Sequence, residues 1–220
     1  MLMDVYVPEI VNELKEFYED RLVDLKSYDT IHEHLSAIAI RMYEGIKQNL
    51  PFIKTEISNY HIDCLGKEQL IELNQFTLKD CQQTIANEYG FPTWEILHRQ
   101  TDIEYNYSFE TAINLMLAGD FAELKNLITS EPILLTQRSN YGHKATLLNY
   151  AGSNGVEMWR QQVPLNLAQI VKYLLASGAD ISATMNVYGG EFDTYAMVST
   201  SIHPVKAGII EEMKVVLDPS

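Results

Sequence analysis

The second half of the chain repeats a short unit in which a helical stretch ends in a turn containing glycine, asparagine or aspartate. Residues 140–155 hold a turn and a short helix, and residues 167–181 hold a longer helix that ends at a glycine. Weaker copies occupy residues 112–128 and, further along, residues 188–200 together with 209–217. A helix pair cannot bury its apolar face alone, so about three copies are the minimum for a stable stack. The pattern therefore predicts an all-α stack of three helix pairs.

The middle copy resembles an ankyrin repeat. The turn and first helix of that family run roughly as Gly-x-Thr-Pro-Leu-His-x-Ala, and the similar stretch here is Ala145–Ala151. Leu147 stands at the proline position and Asn149 at the histidine position. The end of the second helix, Leu174–Asp180, matches the family without adjustment. The resemblance covers about residues 108–217 and implies an α-solenoid, whose concave face of hairpin tips and first helices binds a protein partner.

The copies are longer than ordinary ankyrin repeats. Gly142 and Gly189 occupy equivalent positions but lie 47 residues apart, against about 33 in the family. The additional residues fall between the two helices of a copy, at about 156–166 and about 201–207, and each connection contains a proline. In the ankyrin arrangement this connection lies at the end of the first helix away from the hairpin. We therefore expect the two connections to build a rim and, with the hairpins, to enclose a groove.

The first hundred residues are predicted to form a separate helical unit, so that the domains are 1–100 and 101–220. Apolar residues at three- and four-residue spacing predict one helix over 7–25. The same spacing predicts a second helix from Thr30, which ends near Asn49. Further short helices are predicted at 67–74, 77–89 and 93–99, whereas residues 51–66 fit either a short helix or an extended segment. Residues 86–98 also resemble a segment that precedes the repeats in many bacterial ankyrin-repeat proteins.

Charge and composition exclude several classes of function. Thirty acidic and sixteen basic residues give a formal charge of −14 and a pI near 4.7. Such a chain repels a phosphate backbone, so nucleic acid is not expected as a partner. The start of the chain lacks the basic and apolar pattern of a signal peptide, and no apolar run has the length of about 18 residues that a membrane span needs. With two isolated cysteines, Cys64 and Cys81, the chain is expected in the cytoplasm.

The titratable residues do not predict an active site. His32 and His34 lie about 200° apart around a helix, so they cannot hold one metal ion together. His61 and Cys64 would supply only two of the three or four protein ligands that a zinc site needs. No phosphate loop, nucleophile elbow or dinucleotide fingerprint is present. We therefore expect no catalysis, no cofactor and no metal. Acidic side chains predicted to be solvated are Glu13, Glu16, Asp20 and Asp24.

Aromatic and polar residues in or beside the long connections are the candidate binding residues. Large aromatic side chains and arginine dominate the energetics of protein interfaces. His143 and Asn149, in contrast, are expected to tie turns to neighbouring helices. The expected activity is binding of a protein partner, and the charge favours a partner with a basic patch. A self-associating scaffold and a metal-dependent enzyme remain the alternatives. The candidate binding residues are Trp159, Arg160, Tyr188, Phe192, Tyr195 and His203.

Overall fold

Helices make up most of the chain in the computed structural model, which describes residues 4–99 and 105–218. Within these residues the β structure consists of two small antiparallel sheets of two strands each. The chain divides into unit 1, residues 1–11 with 106–220, and unit 2, residues 12–105. The prediction of a mainly helical protein is confirmed. This division differs from the predicted domains at the N-terminus, where the described residues 4–11 belong to unit 1.

Unit 2 is built around its longest helix, α2. The N-cap Thr30 accepts a hydrogen bond from the Glu33 amide, and the apolar positions predicted for α2 are buried. Helix α2 packs on α4, which also contacts α3. Residues 51–66, whose structure the sequence left open, form α3 and a following 3-10 turn. The helices that lie wholly or partly in unit 2 are α1 (Glu9–Tyr18), α2 (Ile31–Lys47), α3 (Phe52–Tyr60), α4 (Leu78–Glu88) and α5 (Trp94–His98).

The first predicted helix is shorter than expected. Helix α1 ends at Tyr18 because Glu19 takes a left-handed φ of 53°, and 3-10 turns follow at Glu19–Leu22 and Leu25–Ser27. Leu22 and Leu25 are nevertheless buried, so the apolar stripe continues through the turns. The four acidic residues predicted to be solvated are all exposed. The apolar spacing therefore predicted correctly which residues are buried, but it did not predict where the α-helix ends.

The segment predicted as a helix at 67–74 is instead two 3-10 turns, Glu68–Leu70 and Leu73–Gln75. Ile71 lies between them with an extended backbone, at φ −77° and ψ 119°, which interrupts a helical hydrogen-bond ladder. The helix predicted at 77–89 is confirmed as α4, and Gly90 after it takes the left-handed φ of 78° that such a stop favours.

Unit 1 contains seven α-helices among its described residues, and they contact one another in pairs. Helix α6 packs on α7, and α10 packs on α12. Helix α8 contacts both α6 and α10, while α9 contacts α6 and α12. Their side chains share one apolar core. These helices are α6 (Tyr107–Leu117), α7 (Phe121–Ser130), α8 (Leu147–Tyr150), α9 (Leu167–Ala176), α10 (Thr194–Thr200), α11 (Ile202–Lys206) and α12 (Ile210–Leu217).

The core of unit 1 contains the leucines and small residues on which the helix-pair prediction depends. The repeat pattern predicts six core residues, which are Leu147, Leu148, Ala151, Val171, Leu174 and Leu175. Five of them are buried, and Leu175 is partly buried against the same cluster. The buried five are Leu147, Leu148, Ala151, Val171 and Leu174.

A β-hairpin precedes α10. Strands β3 (Thr184–Val187) and β4 (Gly190–Asp193) pair antiparallel, with Met185 opposite Phe192, and Tyr188 and Gly189 form the loop. Both loop residues have positive φ, 53° and 76°, as a two-residue type I′ turn requires. The sequence Tyr188-Gly189-Gly190 predicts a left-handed glycine at position 189 or 190, and the structure has it at Gly189.

The first long connection packs into unit 1 instead of standing out as a rim. Strands β1 (Val5–Tyr6) and β2 (Val163–Pro164) pair antiparallel, and residues 155–161 are all buried. The expected rim is therefore wrong for 156–166, because an N-terminal strand far away in sequence pairs with this connection. The second connection, 201–207, forms α11 and exposes Ile202 and Val205.

No helix among the described residues has both the length and the apolar character needed to cross a bilayer.

Candidate functional site

Arg160 lies in a buried ionic network at the centre of unit 1. Its Nη2 atom is 2.7 Å from Glu110 Oε2 and 3.2 Å from Asn114 Oδ1, and its Nη1 atom is 3.6 Å from Glu157 Oε1. His143 Nε2 approaches Glu157 Oε1 at 3.3 Å, and the Tyr150 hydroxyl donates to the same oxygen at 3.2 Å. Arg160 is only 2% exposed. The network therefore joins α6, α8 and the connection 156–166 from inside.

Burial and charge act in opposite directions in this network. Burial raises the pKa of Glu110, and the attraction of Arg160 only partly offsets that rise. Burial also acts to raise the pKa of Glu157, but Arg160 and His143 outweigh it, so that this pKa lies below its usual value. Although burial disfavours the guanidinium charge, Glu110 and Glu157 raise the pKa of Arg160 well above its usual value. Arg160 with an ionised Glu157 is the stable charge pair.

Trp159 and Arg160 do not offer surface to a partner. Their side chains are 7% and 2% exposed, and the guanidinium of Arg160 lies 4.5 Å from the centre of the Trp159 ring. Trp159 and Arg160, which the sequence predicted as binding residues, are therefore packing residues instead. The physical reason is that Arg160 pairs with two buried carboxylates. One of them belongs to Glu110, fifty residues earlier in the chain, so no local spacing in the sequence predicts this pair.

Three other candidate binding residues are exposed. Tyr188 at the hairpin tip is 63% exposed, and its hydroxyl donates to Asn154 Oδ1 at 2.6 Å. Phe192 on β4 is 37% exposed and Tyr195 in the first turn of α10 is 38% exposed. We call these three residues the aromatic edge. They come from one segment of eight residues, 188–195.

The base of the aromatic edge is rigid. Met185 and Val187 of β3 are buried in the core of unit 1. Asn149 Nδ2 donates to the Ala183 carbonyl at 2.8 Å and to Thr194 Oγ1 at 3.1 Å, immediately before β3 and at the start of α10. The role expected for Asn149, tying a turn to its neighbours, is confirmed. His143 plays a similar role, since its ring accepts from the Ala145 amide and its carbonyl accepts from the Asn186 amide.

His203 is partly exposed on α11. Its ring centre lies 6.2 Å from that of Tyr6, and burial lowers its pKa. The exposed apolar residues of α11, Ile202 and Val205, lie beside it in sequence, at 55% and 49% exposure. Helix α11 therefore presents apolar side chains to solvent at these two positions.

Unit 2 holds a buried carboxyl group with an unusual pKa. The Tyr18 hydroxyl donates to both carboxyl oxygens of Glu56, at 3.0 and 2.9 Å, and Glu56 is 1% exposed. Burial raises the pKa of Glu56 to about 7, although hydrogen bonds from Tyr18 and with Glu88 act against the rise. This cluster joins α1, α3 and α4. The sequence did not reveal it, because its members are up to 70 residues apart.

The histidines are arranged differently from the groups considered in the sequence. His34 is buried and bonds with the Tyr105 hydroxyl and the Arg21 carbonyl, whereas the ring of His32 faces His98. His61 is buried at the end of α3, with its ring against Phe76. No group of three or more His, Cys, Asp or Glu residues suited to a metal ion occurs in residues 4–99 and 105–218.

A surface pocket of about 580 Å³ lies in unit 2 near the C-terminal end of α2. The Lys47 ammonium stands 4.3 Å from the centre of the Tyr43 ring at its wall. None of the candidate binding residues lines this pocket. Its other lining residues are Ile46, Asn49, Lys54, Glu72, Leu73, Asn74 and Phe76.

No family model, curated protein or solved structure matches this chain.

Proposed function

We propose that this chain binds a protein partner through the aromatic edge. The observation that carries the proposal is Tyr188. It occupies the first loop position of a type I′ turn at φ 53°, where asparagine, aspartate and glycine are the favoured residues. A left-handed backbone costs a bulky L-residue roughly 1–2 kcal/mol. A tyrosine at this position therefore lowers the stability of the fold. Because 63% of its surface is exposed to solvent, its ring is available for contact with another molecule.

The proposed support for this surface is a stack of three divergent ankyrin-type helix pairs: α6 with α7, α8 with α9, and α10 with α12. Two observations favour it. The α8 helix contacts the corresponding first helices α6 and α10, and the Asn186 amide donates to the His143 carbonyl at 2.8 Å, which links consecutive turns. In such a stack hairpin tips and first helices form the binding face. Tyr188 and Tyr195 belong to those two kinds of element.

The test uses the full chain as bait in an extract of its own cells. Tyr188→Asn relieves the turn but removes the aromatic ring, so we expect an unchanged or higher melting temperature together with weaker capture. Tyr195→Ala should weaken capture as well. Loss of an interface hot spot costs about 2 kcal/mol or more, roughly a 30-fold change in Kd. Tyr188→Phe keeps the ring and loses only the hydrogen bonds of the hydroxyl, to Asn154 and to the Gly155 backbone, so it should bind nearly as the wild type does.

The matched control is Ile133→Ala, which removes an apolar side chain that is 65% exposed elsewhere in unit 1. It should retain the partner. Equal capture by all variants would place the binding site elsewhere. Light scattering of the purified chain distinguishes partner binding from the alternative of a self-associating scaffold. If the wild type is a stable oligomer and the Tyr188→Asn variant is a monomer, the aromatic edge mediates self-association instead.

A further inference from the structure

Two histidines from separate helices meet at the surface of unit 2. His32 lies in the first turn of α2, and His98 is the last residue of α5. His98 Nδ1 is 3.0 Å from His32 Nε2, with the ring centres 4.7 Å apart and the ring planes at 61°. His98 is exposed and His32 is partly exposed. The two residues are 66 positions apart, so only the tertiary structure brings them together.

The separation of the two nitrogen atoms fits a shared metal ion. Zinc binds imidazole nitrogen at about 2.0–2.1 Å, so two nitrogens on one ion lie roughly 2.9–3.4 Å apart for ligand angles between about 90° and 109°. The observed 3.0 Å falls within that range. Both rings would have to turn so that their lone pairs converge on one point roughly 2.0–2.1 Å from each nitrogen. The ion would then take the place of the proton that the two rings share.

We propose that His32 and His98 form a two-histidine site for Cu²⁺, with water completing the coordination. Imidazole suits copper, zinc and nickel, and among these Cu²⁺ binds nitrogen ligands most tightly. Three of the other four histidines, His34, His61 and His143, are buried and so compete weakly. The charge of −14 raises the concentration of cations near the chain.

Trp94 provides a local reporter of this site. Its ring centre lies 5.5 Å from that of His32, and the second tryptophan of the chain, Trp159, is buried in unit 1. Cu²⁺ quenches the fluorescence of a nearby indole. Titration of the full chain with Cu²⁺ at pH 7.5 should therefore quench part of the tryptophan emission and saturate at one ion per chain.

Variants of the two ligands provide the decisive comparison. His98→Asn and His32→Asn should each weaken Cu²⁺ binding at least 10-fold in calorimetry, whereas the control His203→Asn should not. Trp94→Phe should keep the affinity and lose the quenching. Electron paramagnetic resonance of the wild-type complex should show hyperfine splitting from two imidazole nitrogens. Because His98 is exposed, its variant is expected to fold, which circular dichroism checks. Wild-type affinity in His98→Asn, or splitting from fewer than two imidazoles, would overturn the proposal.

Discussion

Glu56 is the residue whose protonation should most visibly affect the stability of unit 2. Its carboxyl group is buried against the Tyr18 hydroxyl, with Glu88 and Cys81 as the other titratable groups that interact with the cluster. The pKa rises from an ordinary 4.5 to about 7 on folding. Between these values the folded chain retains a proton that the unfolded chain has lost. By linkage, stability must fall as the pH rises through this window, and the loss is complete above pH 7.

Glu56→Gln should remove that pH dependence, because the amide is neutral at every pH and its oxygen can still accept from Tyr18. We expect the variant to exceed the wild type at pH 8 by on the order of 2 kcal/mol of unfolding free energy, and to match it near pH 4.5. Urea unfolding at half-unit steps of pH measures the difference. Glu13→Gln, at an exposed position of α1, is the control and should leave the pH profile unchanged. A Glu56→Gln profile parallel to the wild type would contradict the assignment.

Arg160 should matter for stability more than for binding. Arg160→Met leaves Glu110 and Glu157 buried without their cation, so we expect a loss of about 3–5 kcal/mol of unfolding free energy. The exposed Arg99, changed to methionine, is the control and should lie within about 0.5 kcal/mol of the wild type. Adding Glu110→Gln and Glu157→Gln to Arg160→Met should recover part of the loss, since the uncompensated charges are then gone. A single variant as stable as the wild type would show that the network is not ionised as described.

At the scale of elements, the contact between α8 and α10 depends on a glycine. A Cβ at Gly152, just after α8, would lie 2.7 Å from Met197 Cβ and 3.1 Å from the Asn149 carbonyl oxygen. Neither atom is the end of a flexible side chain, so the helices must move apart. Gly152→Ala should cost about 1–3 kcal/mol by overpacking.

Gly190→Ala is the matched control for this prediction. Its added Cβ would meet only the ring of Phe192, at 3.1 Å, and that ring is exposed enough to swing aside. Thermal unfolding should therefore show a clear decrease for the Gly152 variant and a small change for the Gly190 variant. Similar decreases in both would show that the close approach of α8 to α10 does not explain the effect, since the loss of backbone entropy in the unfolded chain favours alanine at both positions.

Elements were predictable where local chemistry alone decides them. The Thr30 and Thr93 caps and the Gly90 stop locate the ends of α2, α4 and α5 to within a residue or two. Helix α1 was overestimated because Glu19 leaves the helical region while its apolar neighbours stay buried. Apolar residues at helical spacing indicate which side of the chain faces a core. Short 3-10 turns keep nearly the same side buried, so the spacing does not show where an α-helix ends.

At the scale of the whole molecule, charge should control how fast a partner arrives. The segment 188–218 carries five acidic and two basic residues, within a chain of charge −14. A partner with a basic patch is attracted over distances that salt shortens. We expect the association rate constant to fall roughly 10-fold or more between 20 and 300 mM salt, with little change in dissociation. Stopped-flow mixing with the captured partner measures both rates.

Glu191→Gln, on the exposed face of β4, should slow association without altering the melting temperature. Glu68→Gln in unit 2 is the control of equal charge change. A rate independent of salt would indicate a partner without a complementary basic surface.

Local pattern and composition determined much of this protein: a mainly helical chain, the left-handed turn at Gly189, the bonds of Asn149, the solvated acidic residues between positions 13 and 24 and most of the predicted core. These follow from spacing and turn chemistry, which act over a few residues. Tertiary structure alone decided that β1 covers the connection at 156–166, that Arg160 is buried with Glu110, and that His32 meets His98. Such pairings join residues tens or more than a hundred positions apart, and their energies depend on burial and distance, which no local pattern encodes.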